Sequence, residues 1–311
     1  MSRTVNGERL FDDTAKEILR RQLHITADYC GVQILTYAIL SNHFHVLLRV
    51  PQAAELSDAE LLRRYRVMYP KPTRYQIARL EVIEAHLKNN APEAVAWRKR
   101  QLALMGDVSQ FMKLAKQRFS IWFNKSHKRY GTLWSERFKS VLVEGNGRVL
   151  GTMAAYIDLN CVRAGLVNDP KDYRFCGYAE AVAGGQEARA GIKRLVDEKA
   201  DWSEVQGAYR QTLFGTGSAE TEHGGALSTE QLAQVIKAKG KLPLATVLRC
   251  RLKYFTDGAV LGGRAFVSKH LSDYSKRYGR RRGKNPRQLP ALTDWGGELS
   301  TLRGLRMPFS S

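Results

Sequence analysis

Residues 41–50 read SNHFHVLLRV, an apolar stretch that carries two histidines with a single residue between them. Side chains alternate between the two faces of a β-strand, so His43 and His45 point one way while Phe44 and Val46 point the other. The two imidazoles are therefore predicted to lie side by side, where both can reach one ion. A merely polar strand face is the simpler interpretation, and a third ligand is needed to favour a metal site.

The neighbouring segments predict a helix and a hairpin around the histidine strand. Apolar residues at helical spacing in 14–30 indicate a helix that Gly31 closes. VQILTYAIL at 32–40 is typical of an apolar strand, and Ser41 and Asn42 then separate it from the histidines. This predicts a two-residue turn, with a longer loop as the alternative.

Length and charge narrow the class of protein. The 311 residues exceed the usual size of one domain, so we expect two regions. Lysine and arginine number 50 against 30 acidic residues, a net charge of +20, which predicts a polyanionic partner, above all nucleic acid.

Four scattered cysteines are expected to be reduced core residues. The opening residues resemble neither a signal peptide nor a membrane span, so we expect a cytoplasmic protein and no membrane partner.

A helical insertion and a basic segment follow the histidines. SDAE at 57–60 is a capping box, and about 55–110 is predicted to be helical. Residues 111–141 then carry eight lysines or arginines and one acid, interleaved with aromatic residues. Cations can follow a phosphate backbone and rings can stack on unpaired bases. For Phe119, Trp122 and Phe123 we favour core packing.

A helix with a tyrosine supplies the missing ligand. RFKSVLVEG at 137–145 predicts a strand, and RVLGTMAAYIDLNCVRAGLV at 148–167 predicts a helix. Tyr156 and Asn160 are four residues apart and share a helix face. A tyrosine beside a metal ion suggests a nucleophile, although a free phenol has a pKa of about 10 and needs a base or a polarised electrophile. A half-buried tyrosine without catalytic function is the alternative.

Beyond residue 170 the sequence is less informative. Glycine- and alanine-rich stretches predict flexible connectors, and STEQ at 228–231 opens a helix. Residues 241–274 are compatible with a helix-turn-helix-like pair, without a decisive motif. Seven cations in 276–287 predict a flexible arm for phosphates. We expect 171–311 to be a basic, mostly helical C-terminal region.

The motifs SNHFHVLL, GTLWSERFKS and YIDLNCVRAGLV, in this order, resemble the single-tyrosine HUH transposases, closest to the REP-associated tyrosine transposases. The resemblance covers about residues 2–180. It implies an α+β fold, an antiparallel sheet with packed helices of the ferredoxin-like HUH palm. It also implies a catalytic domain at 1–170 that contains the helical insertion.

By this resemblance His43 and His45 are metal ligands, Asn160 is the third ligand and Tyr156 is the nucleophile. The implied reaction cleaves and rejoins single-stranded DNA next to hairpin-forming repeats, through a 5′-phosphotyrosine. Imidazole ligands favour manganese, whereas phosphoryl chemistry and an amide oxygen favour magnesium. Single-stranded or hairpin DNA is the expected partner. The sequence leaves open whether the chain forms a homodimer. The residues expected to bind DNA are Lys116, Arg118, Lys125, Lys128, Arg129, Trp134, Arg137, Lys139, Arg163, Arg280, Arg281 and Arg282.

The sequence departs from the family pattern in two places. Cys161 stands where the family has a proline, which changes the end of the helix. SRTVNGERLF matches only the end of the family's first strand. Either a start codon assigned too late or truncation of the chain to a relic would explain this. A non-catalytic nucleic-acid-binding protein derived from a transposase is therefore the second hypothesis. A zinc hydrolase is a weak third, because no carboxylate or further histidine has metal-ligand spacing nearby.

Overall fold

The structure is a computed structural model that describes residues 1–52, 55–71, 73–145, 147–214, 258–278, 287–288 and 300–303. Over these residues the fold is α+β. The chain forms two compact units, a first unit of 1–3, 35–47 and 136–311 and a second unit of 4–34 and 48–135. The units interleave along the chain, whereas the sequence suggested a boundary near residue 170. None of the helices in the described part has the length and apolarity needed to cross a bilayer.

The elements are numbered over the described residues. The strands are β1 (Ser2–Arg3), β2 (Gln33–Ile39), β3 (His43–Arg49), β4 (Leu142–Val143), β5 (Gly258–Gly262), β6 (Arg287–Gln288) and β7 (Ser300–Arg303). The helices are α1 (Asp13–Cys30), α2 (Asp58–Met68), α3 (Arg74–Lys88), α4 (Pro92–Leu102), α5 (Val108–Ser126), α6 (Gly147–Asp158), α7 (Asn160–Arg163), α8 (Gly177–Val182), α9 (Gln186–Val196), α10 (Trp202–Phe214) and α11 (Arg264–Tyr278).

The histidine strand is the middle strand of a three-stranded sheet, in the order β1-β3-β2. The Leu40 N–H donates to the His43 carbonyl at 2.8 Å, which confirms the predicted two-residue turn. Strand β1 runs antiparallel to β3 and places Arg3 opposite His43. The tail of the expected first strand therefore does pair, over two residues, with the strand that carries both histidines.

The free edge of β2 is covered by the segment that leads into α8. Ala38 forms a bridge with Cys176, and the Ile39 N–H donates to the Phe175 carbonyl at 2.9 Å. Gly177 begins α8 directly against β2, where a Cβ atom would lie 2.4 Å from the Thr36 hydroxyl oxygen. Only glycine allows this approach. This segment therefore covers the end of the β2 edge at Ala38 and Ile39.

The tyrosine helix is nearly continuous. α6 ends at Asp158 and α7 begins at Asn160, with Leu159 between them. The Leu159 N–H donates to the Ala155 carbonyl and the Arg163 N–H to the Leu159 carbonyl, each at 2.9 Å. These hydrogen bonds join residues four apart, as in an α-helix, and continue through Leu159. Asn160 therefore lies one helical turn after Tyr156.

The strand predicted at 137–145 is shorter in the structure. Only Leu142–Val143 form a strand, which pairs in parallel with β5 in a second sheet of order β4-β5-β7-β6. Arg137 and Lys139 at its start are exposed. The Lys139 N–H donates to the Met1 carbonyl at 2.9 Å, and the Met1 amino group donates to the Lys139 carbonyl at 2.8 Å, so this half bonds to the residue that precedes β1. Part of the suggested helix-turn-helix, 241–257, lies outside the described residues, and Gly258–Gly262 is a strand rather than a helix. The described C-terminal region contains the helices α8, α9, α10 and α11 and the short strands β5, β6 and β7.

The second unit is helical, and local signals in the sequence place its helix ends. Asp12 caps α1, whose last turn closes on Gly31 in the left-handed conformation, at a φ of 66°. The Ser57 hydroxyl accepts from the Glu60 N–H at 3.2 Å to begin α2, as the capping motif predicts. Helices α2, α3 and α4 lie within the expected insertion and share a core around Leu61 and Trp97.

Candidate active site

The two histidines form a tight pair in the first unit. Their ring centroids are 5.3 Å apart and the ring planes are nearly perpendicular, at 79°, which confirms that both side chains share one strand face. With metal–nitrogen bonds of about 2.1 Å, two imidazoles on one ion have ring centres roughly 4.5–5.5 Å apart. The pair therefore has the spacing that chelation of a single cation requires.

Burial keeps both rings neutral at physiological pH. It lowers the pKa of His43 to about 4, with the positive charge of Arg3 adding to the effect and a hydrogen bond to Asn160 opposing it. Burial also lowers the pKa of His45 well below its usual value, and nearby positive charges, including Arg163, act in the same direction. Neutral imidazole is the form that binds a metal ion.

Asn160 lies beside the histidine pair. Its side chain is buried and hydrogen-bonds to the ring of His43. The amide nitrogen Nδ2 is buried without a hydrogen-bond partner. Across the described residues no three His, Cys, Asp or Glu side chains are grouped to hold an ion. A cation at the histidine pair would therefore take its third protein ligand from the Asn160 amide, and two imidazoles with one amide oxygen suit a divalent cation.

An amide neighbour orients the first of these histidines. Nδ1 of His43 lies 2.6 Å from the Asn42 side-chain oxygen, which can only accept. The neutral ring therefore carries its proton on Nδ1 and keeps the lone pair on Nε2. A hydrogen bond on one ring nitrogen commonly fixes the other as the ligand in metal sites.

Tyr156 lies next to the histidine pair, and Arg163 holds it there. The Tyr156 ring is only 6% exposed, and its centroid is 6.3 Å from that of His45. The guanidinium carbon of Arg163 lies 3.9 Å from the centroid of the Tyr156 ring, and the same guanidinium donates a hydrogen bond to the Tyr156 carbonyl. Arg163 is 4% exposed. The sequence predicted a surface contact with DNA, but this arginine packs inside the site against the tyrosine.

Asp158 anchors the tyrosine helix and was missed by the sequence reasoning. Its carboxylate accepts hydrogen bonds from the Thr36 and Tyr209 hydroxyls, each at 2.6 Å, and from the Tyr178 N–H at 3.4 Å. Burial raises its pKa to about 7, while these donors act in the opposite direction. The contacts tie α6 to β2, α8 and α10. An acidic residue within the apolar YIDLN stretch is the signal that could have revealed this role.

Cys161 lies within α7, whose backbone hydrogen bonds continue past it. Its thiol donates to the Asp158 carbonyl at 3.2 Å, so the residue contributes a local hydrogen bond. Cys30, Cys161 and Cys176 are free and buried, as expected for reduced core cysteines. Cys250 lies outside the described residues.

The structure divides the expected DNA contacts of the second unit into exposed and packed groups. Lys125 and Lys128 are exposed, whereas Lys116, Arg118 and Arg129 are half-buried. The prediction that Trp134 contacts DNA is wrong. Its ring is buried among Phe11 and Phe119, and its Nε1–H donates to the Ser120 hydroxyl at 2.8 Å. This indole belongs to the core and is no open platform for a base.

In the first unit Arg137 and Lys139 are exposed, and Lys139 pairs with Glu136 at 3.2 Å. Arg280, Arg281 and Arg282 lie outside the described residues. Arg3 is a cation that the sequence reasoning did not assign to the site. It is exposed and directly opposite His43, and cross-strand partners project from the same face of a sheet.

Comparisons with protein-family models, with curated proteins and with solved structures find no match to this chain.

Proposed function

We propose that this protein is a metal-dependent, single-stranded DNA transposase that cleaves and rejoins DNA next to hairpin-forming repeats, with the sheet of β1, β3 and β2 as part of a ferredoxin-like HUH palm. One observation carries the proposal: two neutral histidines and the Asn160 amide converge beside a buried tyrosine. A metal chelate next to a hydroxyl nucleophile is the equipment that phosphodiester transesterification needs. The net charge of +20 supports a polyanionic substrate.

In this reaction Tyr156 is the nucleophile. Its phenolic oxygen bonds to phosphorus as the bond from phosphorus to the 3′ oxygen breaks. The phenolic proton is lost, and the departing 3′ oxygen gains a proton to become a free hydroxyl. One phosphate ester replaces another, so the bond energy is kept in the phosphotyrosine, and attack by a 3′ hydroxyl can reverse the step.

His43, His45 and Asn160 would hold the divalent ion. When bound, such an ion polarises a phosphate oxygen. His43 and His45 are already neutral because of burial, so they can bind without first losing a proton. The hydrogen bond from His43 to Asn42 fixes the ring that contributes to the site.

Two arginines act around the tyrosine. Arg163 holds the Tyr156 ring by its face and its backbone by the carbonyl, which limits rotation of the nucleophile. Arg3 supplies an exposed positive charge on the sheet face that His43 shares, where a scissile phosphate would bring negative charge. Arg163 is thus a positioning residue, and Arg3 a phosphate contact.

A non-catalytic nucleic-acid-binding protein is the second candidate. The observation in its favour is the burial of Tyr156, which leaves 6% of the residue accessible to a phosphodiester. Under that hypothesis the site residues stabilise the fold, and the basic surface alone binds DNA.

The test is formation of a covalent adduct. The full chain is incubated with a labelled pool of single strands, each with a hairpin beside a randomised flank, and with manganese or magnesium. We expect a labelled protein band on a denaturing gel that is absent with a chelator and absent for His45→Ala and Tyr156→Phe. The phenylalanine variant should still bind the pool, because only the hydroxyl is removed. A folded wild-type protein that binds the pool but forms no adduct with either metal would support the second candidate.

A further inference from the structure

An almost fully exposed tyrosine lies in the basic segment that follows the helical insertion. Tyr130 follows the end of α5 and is 95% exposed. We propose that Tyr130 is a stacking platform for an unpaired base of single-stranded DNA. The identity of the nucleic acid rests on the proposed function, whereas the stacking contact is separate from the chemistry of Tyr156.

The loop that presents Tyr130 is built around Asn124. The Arg129 N–H donates to the Asn124 carbonyl at 2.8 Å, and the Asn124 side-chain amide donates to the Gly131 carbonyl at 3.0 Å. The residues on both sides of Tyr130 are therefore held to the same point on α5. A backbone held in this way loses little conformational freedom on binding, which favours affinity.

A second contact stabilises the end of α5 beneath this loop. The His127 ring stacks on the buried Phe123 ring, with centroids 4.0 Å apart, and the His127 N–H donates to the Phe123 carbonyl at 2.9 Å. Lys128 then adopts the left-handed conformation, at a φ of 49°, which turns the chain sharply after the helix. Tyr130 is thus exposed by an ordered turn.

The charges around Tyr130 fit a phosphate backbone. Residues 108–135 contain six lysines or arginines and no acid, so no carboxylate of this segment repels DNA. Lys125 and Lys128 are both exposed, close to Tyr130 in sequence. Bases in a duplex keep their faces stacked on one another, so a single aromatic ring can stack only on an unpaired base. Cations for the phosphates and a ring for the base are the two parts of single-strand recognition.

The experiment measures affinity for two single strands of equal length, an oligothymidylate and an abasic oligodeoxyribose phosphate. Tyr130→Ala in the full chain should weaken oligothymidylate binding by about 5- to 100-fold and leave the abasic strand unaffected, because only the base supplies a face for stacking. Tyr130→Trp should retain or improve the affinity for oligothymidylate. Lys128→Gln should weaken binding of both strands, since it removes a phosphate contact.

Tyr75→Ala is the matched control. Tyr75 is 87% exposed on α3, a helix that also carries Glu81 and Glu84, so its loss should leave both affinities unchanged. Unchanged oligothymidylate binding by Tyr130→Ala, or an equal loss on the abasic strand, would overturn the inference. If Tyr130→Ala behaves as expected while no Tyr156 adduct forms, the stacking contact stands and the transposase proposal fails. If the Tyr156 adduct forms while Tyr130→Ala leaves oligothymidylate binding unchanged, the transposase proposal stands and the stacking contact fails.

Discussion

Arg163 is the single residue on which the geometry of the proposed nucleophile depends most. It meets the ring face of Tyr156 at 3.9 Å and donates to the Tyr156 carbonyl, so its planar guanidinium serves two contacts at once. The ammonium of a lysine is a point charge without this planar fork. Arginine is thus the side chain suited to hold both the ring and the backbone of the tyrosine.

Arg163→Lys should slow adduct formation by about 10- to 100-fold, because both a cation–π contact and a charged hydrogen bond are weakened. The measurement is the single-turnover rate at saturating DNA. Affinity for DNA should change little, since Arg163 is buried. Arg137→Gln, at an exposed position, is the control, with weaker binding and an unchanged rate at saturation. An unaltered rate for Arg163→Lys would contradict the positioning role.

At single residues, the sequence predicts which strand face a side chain occupies but does not predict whether a charged or aromatic side chain is buried. The shared face of His43 and His45 follows from strand periodicity alone, and the structure confirms it. Arg163 and Trp134 were expected to contact DNA. Both are buried, and burial depends on tertiary packing that no local pattern encodes.

At the scale of elements, the Asp158 carboxylate connects the tyrosine helix to its neighbours. Asp158→Ala should lower the free energy of unfolding by about 2–4 kcal/mol, because it leaves buried hydroxyl and peptide donors without an acceptor. Urea denaturation measures this loss. Asp158→Asn should cost less, since it keeps one acceptor oxygen. Glu81→Ala, at an exposed carboxylate on α3, should stay within about 0.5 kcal/mol. A loss for Asp158→Ala no larger than this control would remove the anchoring role.

Helix ends and the hairpin could be predicted from the sequence because their determinants are local. Ser57 and Gly31 act on their own helix ends, and the Ser41–Asn42 turn joins neighbouring strands. The strand expected at 137–145 forms only over Leu142–Val143, because strand pairing depends on residues that are distant in the sequence. These two residues pair with β5, more than a hundred positions away, whereas Lys139 bonds through its backbone to Met1, next to β1.

For the whole molecule, the charge of +20 predicts salt-sensitive binding. Each phosphate contact on a single strand contributes a slope of about −0.7 to the plot of log affinity against log salt. Lys125→Gln should therefore make the slope shallower by about 0.7, while Lys88→Gln, exposed on α3, should leave it unchanged. Fluorescence anisotropy across a salt series measures both slopes. Equal slopes for wild type and Lys125→Gln would exclude this lysine from the interface.

The most direct measurement of the central claim is to locate the phosphate on the protein. The adduct is trimmed with a nuclease, digested with trypsin and sequenced by mass spectrometry. The tryptic peptide 149–163, VLGTMAAYIDLNCVR, contains a single tyrosine, Tyr156. The proposal predicts a nucleotide phosphate on that tyrosine when manganese or magnesium is present. An unmodified 149–163 peptide together with a nucleotide on any other residue, or no modified peptide from protein that is folded and bound to DNA, would contradict it.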